Sequence, residues 1–126
     1  DNLKLAKKIS EHQSKNEKKI KIFIQVNIGK ENQKVGININ DLNEFYSICV
    51  NDLQLNIIGL MCLPPINENT DGYFEQMEKL NKKLGLQELS LGMSADYERA
   101  LKYNAVPHVL SIIVIILYFF ANSTTL

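Results

Sequence analysis

The chain has 126 residues, enough for one ordinary domain but short of the roughly 200–250 residues of a closed (β/α)8 barrel. Its 14 basic and 14 acidic residues cancel, and 45% of it is apolar, a composition that argues against general disorder and gives no basic excess for nucleic acid. The two cysteines, Cys49 and Cys62, lie outside any metal-ligand spacing and read as reduced, buried thiols of a cytoplasmic protein. His12 and His108 each lack a second ligand at metal spacing, so no metal site is expected.

In chain order, Asn2 to His12 reads as a lysine-rich helix with Leu5 and Ile9 one turn apart, and Gln13 to Lys19 as a polar loop. Lys21 to Ile28 is a strand with Ile22, Ile24, Val26 and Ile28 on one face and Phe23, Gln25 and Asn27 on the other. Two readings of Asn27 stand at this point. It is a polar residue ending a strand, or it points into a barrel near the C-terminal rim, where barrel enzymes keep their chemistry. Gly29 to Asn38 is a loop. Asn40 is expected to cap a helix whose apolar positions Leu42, Phe45, Tyr46 and Cys49 follow helical spacing.

Leu55 to Leu63 is nearly continuous in apolar residues, as a strand buried on both faces should be, and Pro64-Pro65 ends it. Thr70 and Asp71 open a helix carrying Tyr73, Met77, Leu80 and Leu84, with Gly85 as its stop. Leu89 to Met93 is a third strand, and Ala95 to Tyr103 a further helix capped by Ser94. The strands begin near residues 21, 55 and 87, a spacing of about 33 that suits successive βα units and a parallel sheet. The fold class is therefore α/β. A strand feeding a serine-capped helix sets a hydroxyl and free amides at the positive end of a helix dipole, a place suited to phosphate, though many such serines only cap.

The residues at that turn say more than their spacing. Leu89-Ser90-Leu91-Gly92-Met93-Ser94-Ala95-Asp96-Tyr97 resembles the phosphate-binding signature of the pyridoxal phosphate homeostasis proteins (the YggS/PROSC family), relatives of the alanine racemase N-terminal barrel. Ile24-Gln25-Val26-Asn27-Ile28, Glu31-Asn32 and Lys34-Val35-Gly36 look like that family's strand and Lys-x-Gly turn. Ile58-Gly59-Leu60-Met61-Cys62-Leu63-Pro64-Pro65, with Tyr73-Phe74 and Met77, looks like its Gly-Leu-Met strand and the helix after it. The resemblance covers roughly Leu3 to Ala105. It implies parallel βα units of a partial TIM-type barrel that binds pyridoxal 5'-phosphate (PLP) over residues 1–105. Ser94 would hold the phosphate, the backbone of Gly92 and Met93 would shape the cup, and Asn27 and Met61 would line the barrel near the ring.

The sequence also departs from the family. No match exists to the Val-Ser-Lys-like motif that carries the Schiff-base lysine, so covalent attachment through this chain is not expected. After Asn104-Ala105 the family's Arg-Ile-Gly-Thr-like strand is replaced by the apolar run from Val106 to Phe120, and residues 106–126 form a divergent segment. For the part from Val109 to Ala121 three readings stand: a tail anchor shorter than a full bilayer span, a buried element replacing the family's last strand, or sequence with no selected structure, as a shifted reading frame gives.

Three functions follow. The resemblance implies a carrier of a small-molecule cofactor in vitamin B6 balance, with no settled reaction of its own. The alternatives are a PLP-dependent amino-acid racemase, which needs a second base from another domain, and an inactive fragment of a carrier gene.

Overall fold

Three parallel strands set the frame, in the order β1 (Lys21–Gln25), β2 (Asn56–Cys62), β3 (Glu88–Leu91). The structure is a computed structural model and describes residues 2–17, 19–29, 36–63 and 69–91. β1 pairs with β2 in parallel and β2 with β3 in parallel. The helices are α1 (Asn2–Asn16), α2 (Leu42–Ser47) and α3 (Asp71–Lys83). The three parallel strands expected from the spacing are thus present with neighbours adjacent in an α/β arrangement, and two of the βα units, β1–α2 and β2–α3, are complete among the described residues. The expected helix at 95–103 and the segment 106–126 lie outside the described residues.

α1 runs one turn past the expected end at His12. Polar side chains prolong it: Ser14 Oγ donates to the Ser10 carbonyl at 3.0 Å, and Asn16 Nδ2 to the His12 carbonyl at 2.9 Å. Glu17, at φ 52°, then breaks the helix. Asn40 does not cap the second helix. The cap is Asn38, whose Oδ1 accepts from the Asn40 amide at 3.3 Å and starts a single 3-10 turn, Ile39–Asp41, before α2. α2 loosens at its end into a π turn, Ile48–Asp52, where the Leu53 amide reaches back to the Ile48 carbonyl at 3.0 Å.

The main core lies between the sheet and the helices. From β1 it takes Ile22 and Ile24 and, just beyond the strand, Val26 and Ile28; from β2 Ile57, Leu60 and Cys62; and from β3 Leu89 and Leu91. Ala6, Leu42, Cys49, Phe74 and Met77 cover them from the helical side. The expected isoleucine face of β1 is therefore the face under the helices. Phe45, Tyr46, Tyr73 and Leu80 pack at the margin of the same core. The loop read over 29–38 is not wholly irregular, because Ile37 bridges to Val26 in parallel fashion, its amide donating to the Gln25 carbonyl and its carbonyl accepting from the Asn27 amide. Gly36 permits that approach: its φ is 135°, and a Cβ there would lie 2.8 Å from the Asn27 nitrogen.

β2 does not alternate strictly. Its register against β1 slips by one residue, Ile22 facing Ile57 but Phe23 facing Gly59, so Ile58 is the extra residue of a bulge. Strict alternation from Ile57 would turn residues 59, 61 and 63 toward the helices. The bulge reverses that phase, so Leu60 and Cys62 enter the helix-side core while Met61 joins Phe23 on the other face.

Candidate functional site

The second face of the sheet is where apolar and polar groups meet. Phe23 and Met61 form a small buried cluster there, with Ile58 and Leu63 packed against it. Gln25 and Asn27, both half-buried, follow Phe23 on the same face of the chain by alternation. Gln25 is the register partner of Met61, and Met61 of Ser90, so three side chains from three strands form one row across the sheet.

The row lies toward the C-terminal end of the strands. The Val26 amide donates to the Met61 carbonyl at 2.8 Å, which sets Asn27 beside the end of β2. Asn27 and Met61, two of the five residues singled out in the sequence, therefore share one edge of the sheet. In parallel α/β sheets that is the edge at which ligands bind. Gly92, Met93 and Ser94 lie outside the described residues, immediately after β3.

Ser90 was not anticipated as a site residue. It lies between Leu89 and Leu91, both of which enter the helix-side core, so its own side chain belongs to the opposite face with Met61. It is 1% exposed, and its Oγ has no hydrogen-bond partner among the described residues. Leaving a buried hydroxyl unpaired costs about 1–3 kcal/mol, and most buried polar atoms do find partners. A serine set between two leucines of β3 is the available signal. Thr70, 3% exposed at the start of α3, likewise has an unpaired Oγ1, but it precedes a helix instead of lining this face.

Elsewhere the chemistry is sparse. A polar groove of about 440 Å³ opens between Ser10, Gln13, Lys19 and Asp52, at the N-terminal edge of the sheet and away from the row. Among the described residues no group of three His, Cys, Asp or Glu side chains could hold a metal. Cys49 and Cys62 are both buried and are not joined in a disulfide; burial raises the Cys49 thiol to about 12, so it stays protonated and unreactive at neutral pH.

The model of the alanine racemase N-terminal domain matches residues 1–109. The chain belongs to the alanine racemase N-terminal domain family. Within that family its curated relatives include the pyridoxal phosphate homeostasis protein of Aquifex aeolicus, 32% identical over 114 residues, which cover 83% of this chain and 50% of that protein. The protein of the same name from Escherichia coli K12 is 28% identical over 109 residues, covering 80% of this chain and 47% of the relative. That from Pseudomonas aeruginosa is 32% identical over 106 residues, covering 80% and 46%. A solved structure of PipY from Synechococcus elongatus, determined without PLP, superimposes with a TM-score of 0.73 at 25% identity, over 80% of this chain and 52% of that one. The chain thus spans about half the length of the family members it matches.

Two glycines of the family-like motifs, Gly36 and Gly59, have physical reasons in this fold. Gly59 faces β3 so closely that a Cβ would sit 2.0 Å from the Glu88 carbonyl oxygen. Gly59, Leu60 and Met61 then divide the work: close strand approach, core filling and the floor of the second face.

Proposed function

We propose that this chain is the PLP-holding part of a pyridoxal phosphate homeostasis protein acting in the cytoplasm, where reduced thiols persist. The observation that carries the reading is the family membership, joined to a face whose donors suit the cofactor. PLP is a flat heteroaromatic ring with a phosphate arm, and when bound it supplies an aldehyde and an electron-accepting ring. Phe23 and Met61 offer an apolar floor for such a ring, a thioether against an aromatic face being favourable in itself. Asn27 and the unpaired hydroxyl of Ser90 add polar groups around it. Ser94, with the backbone of Gly92 and Met93, is the proposed phosphate anchor, since first-turn amides and a hydroxyl at a helix start bind anions. The sequence has no match to the family's lysine motif, so the proposed hold is noncovalent.

Calorimetric titration of the purified chain with PLP tests this. Weak saturable binding is expected, at ligand concentrations several powers of ten above those a full-length family member needs, with inorganic phosphate competing, and without a stoichiometric visible band that one lysine substitution removes. Absence of saturable PLP binding would overturn the cofactor reading. A lysine-dependent band would overturn its noncovalent form.

A further inference from the structure

Charge cancels over the whole chain but not along it. Seven of its 14 basic residues, all lysines, fall within residues 1–21, against three acidic ones there. In α1, Lys4, Lys8 and Lys15 stand within about 40° of one another around the helix, in a row about 16 Å long, with Lys7 on its flank. All four are exposed. The opposite side of the helix holds Ala6 and Ile9, which pack on the core. Two ties fix that orientation: Ser10 Oγ donates to the Leu53 carbonyl at 2.8 Å, and the Ile20 amide donates to Gln13 Oε1 at 2.7 Å.

Folding does not account for the row. No lysine of α1 forms an ion pair with a described residue, although Glu11 lies one turn from Lys7, Lys8 and Lys15. Lys4 and Lys8 are like charges at i, i+4, and Lys4 stands near the positive end of a helix with no acidic residue in its first turn; both placements are unfavourable. α3 shows the opposite arrangement. Asp71 lies in its first turn, Lys82 and Lys83 in its last, and Lys79 and Lys82 are each paired with a glutamate.

We propose that the lysine row of α1 is a docking surface for double-helical nucleic acid, held through its phosphates without regard to base sequence. Lysines are compact point charges that suit phosphate, and a rigid row of them matches the closely spaced charges of a duplex backbone. α1 has no aromatic or arginine side chain to stack on bases or read their edges, so the contact follows the backbone instead of unpaired bases. An anionic membrane fits less well, because a helix lying on a bilayer inserts its apolar side, and here the core takes that side.

Fluorescence anisotropy of the full chain with a labelled short DNA duplex of mixed sequence tests this. Affinity should fall about 40-fold between about 50 and 200 mM salt, the response to neutralising three phosphates. Lys4→Gln, Lys8→Gln and Lys15→Gln combined should remove most of that salt dependence and weaken binding at low salt about tenfold or more, with resistance to urea unchanged or improved. Lys79→Gln, Lys82→Gln and Lys83→Gln combined, an equal change in net charge on α3, should leave the affinity near its original value. Glu11→Gln, which removes the acid beside the row, should tighten binding. Undetectable binding of the duplex at low salt, or an equal loss in the α3 variant, would overturn the assignment. So would a single strand or phosphatidylserine vesicles bound more tightly than the duplex, or a loss of stability in the α1 variant, which would mark the row as structural.

Discussion

At the residue scale, the side chain with the clearest structural duty is Asn81. It is 4% exposed on α3, its Oδ1 accepts from the Leu60 amide at 3.0 Å, and its Nδ2 donates to the Leu86 carbonyl at 3.2 Å. One amide thereby ties the bulged strand, the helix and the turn into β3. Asn81→Ala would leave the buried Leu60 amide without this acceptor and should cost about 1–3 kcal/mol in urea unfolding. A loss below a few tenths would show that the tie is dispensable. Cys49 makes a second residue-scale prediction. Burial raises its pKa from 9.0 to about 12, so the folded state holds the proton that the unfolded state releases. That contribution to stability is complete below pH 9 and is lost as pH rises from 9 toward 12. Cys49→Ala should flatten this alkaline decline in an unfolding series against pH, and a thiol reagent should reach Cys49 only as the chain unfolds.

At the element scale, the bulge in β2 decides what each face contains. One extra residue, Ile58, sends Leu60 and Cys62 to the helices and Met61 to the opposite face. Gly59 makes this compatible with β3, since any Cβ would collide with backbone, which cannot swing aside as a side-chain tip can. Gly59→Ala should therefore force β2 and β3 apart and destabilise the chain by several kcal/mol, at the severe end for a single substitution. Amide exchange across Gly59–Cys62 and Glu88–Leu91 would report the separation, and unchanged protection there would contradict it. α3, by contrast, has redundant support: its exposed Glu75–Lys79 pair and its partly exposed Glu78–Lys82 pair are one turn apart and add little individually.

At the scale of the whole chain, the proposed function concerns part of a barrel. Three described strands form less than half of an eight-stranded barrel wall, and the chain matches about half of each curated relative. A phosphate cup needs several converging donors. The resemblance assigns one wall to Ser94 and the amides after it, while the family's arginine-glycine-threonine wall has Val106 to Ile116 in its place. Charge-assisted hydrogen bonds contribute about 1.5–3 kcal/mol each, so losing two or three weakens the proposed PLP binding by several powers of ten relative to a full-length family member. Among the described residues no helix is long and apolar enough to cross a membrane. The apolar stretch read as a candidate tail anchor lies outside them.

The sequence by itself determined the parallel βα order and the two faces of β1. Both rest on short-range rules: apolar alternation, proline and glycine stops, and a repeat length that forces crossover connections. It also carried the family, through motifs in which Gly36 and Gly59 answer to backbone contacts. Tertiary structure alone decided the phase of β2, because Ile57-Ile58-Gly59-Leu60-Met61 is apolar throughout and no alternation is legible in it. Asn38 displaced Asn40 as a cap for a similar reason: both side chains can cap, and the choice depends on where Ile37 pairs with Val26. Ser90 and Asn81 became conspicuous only once burial was known. A serine in a strand and an asparagine in a helix are ordinary in sequence, and what distinguishes them is whether their buried polar atoms have partners, which only the packed chain defines.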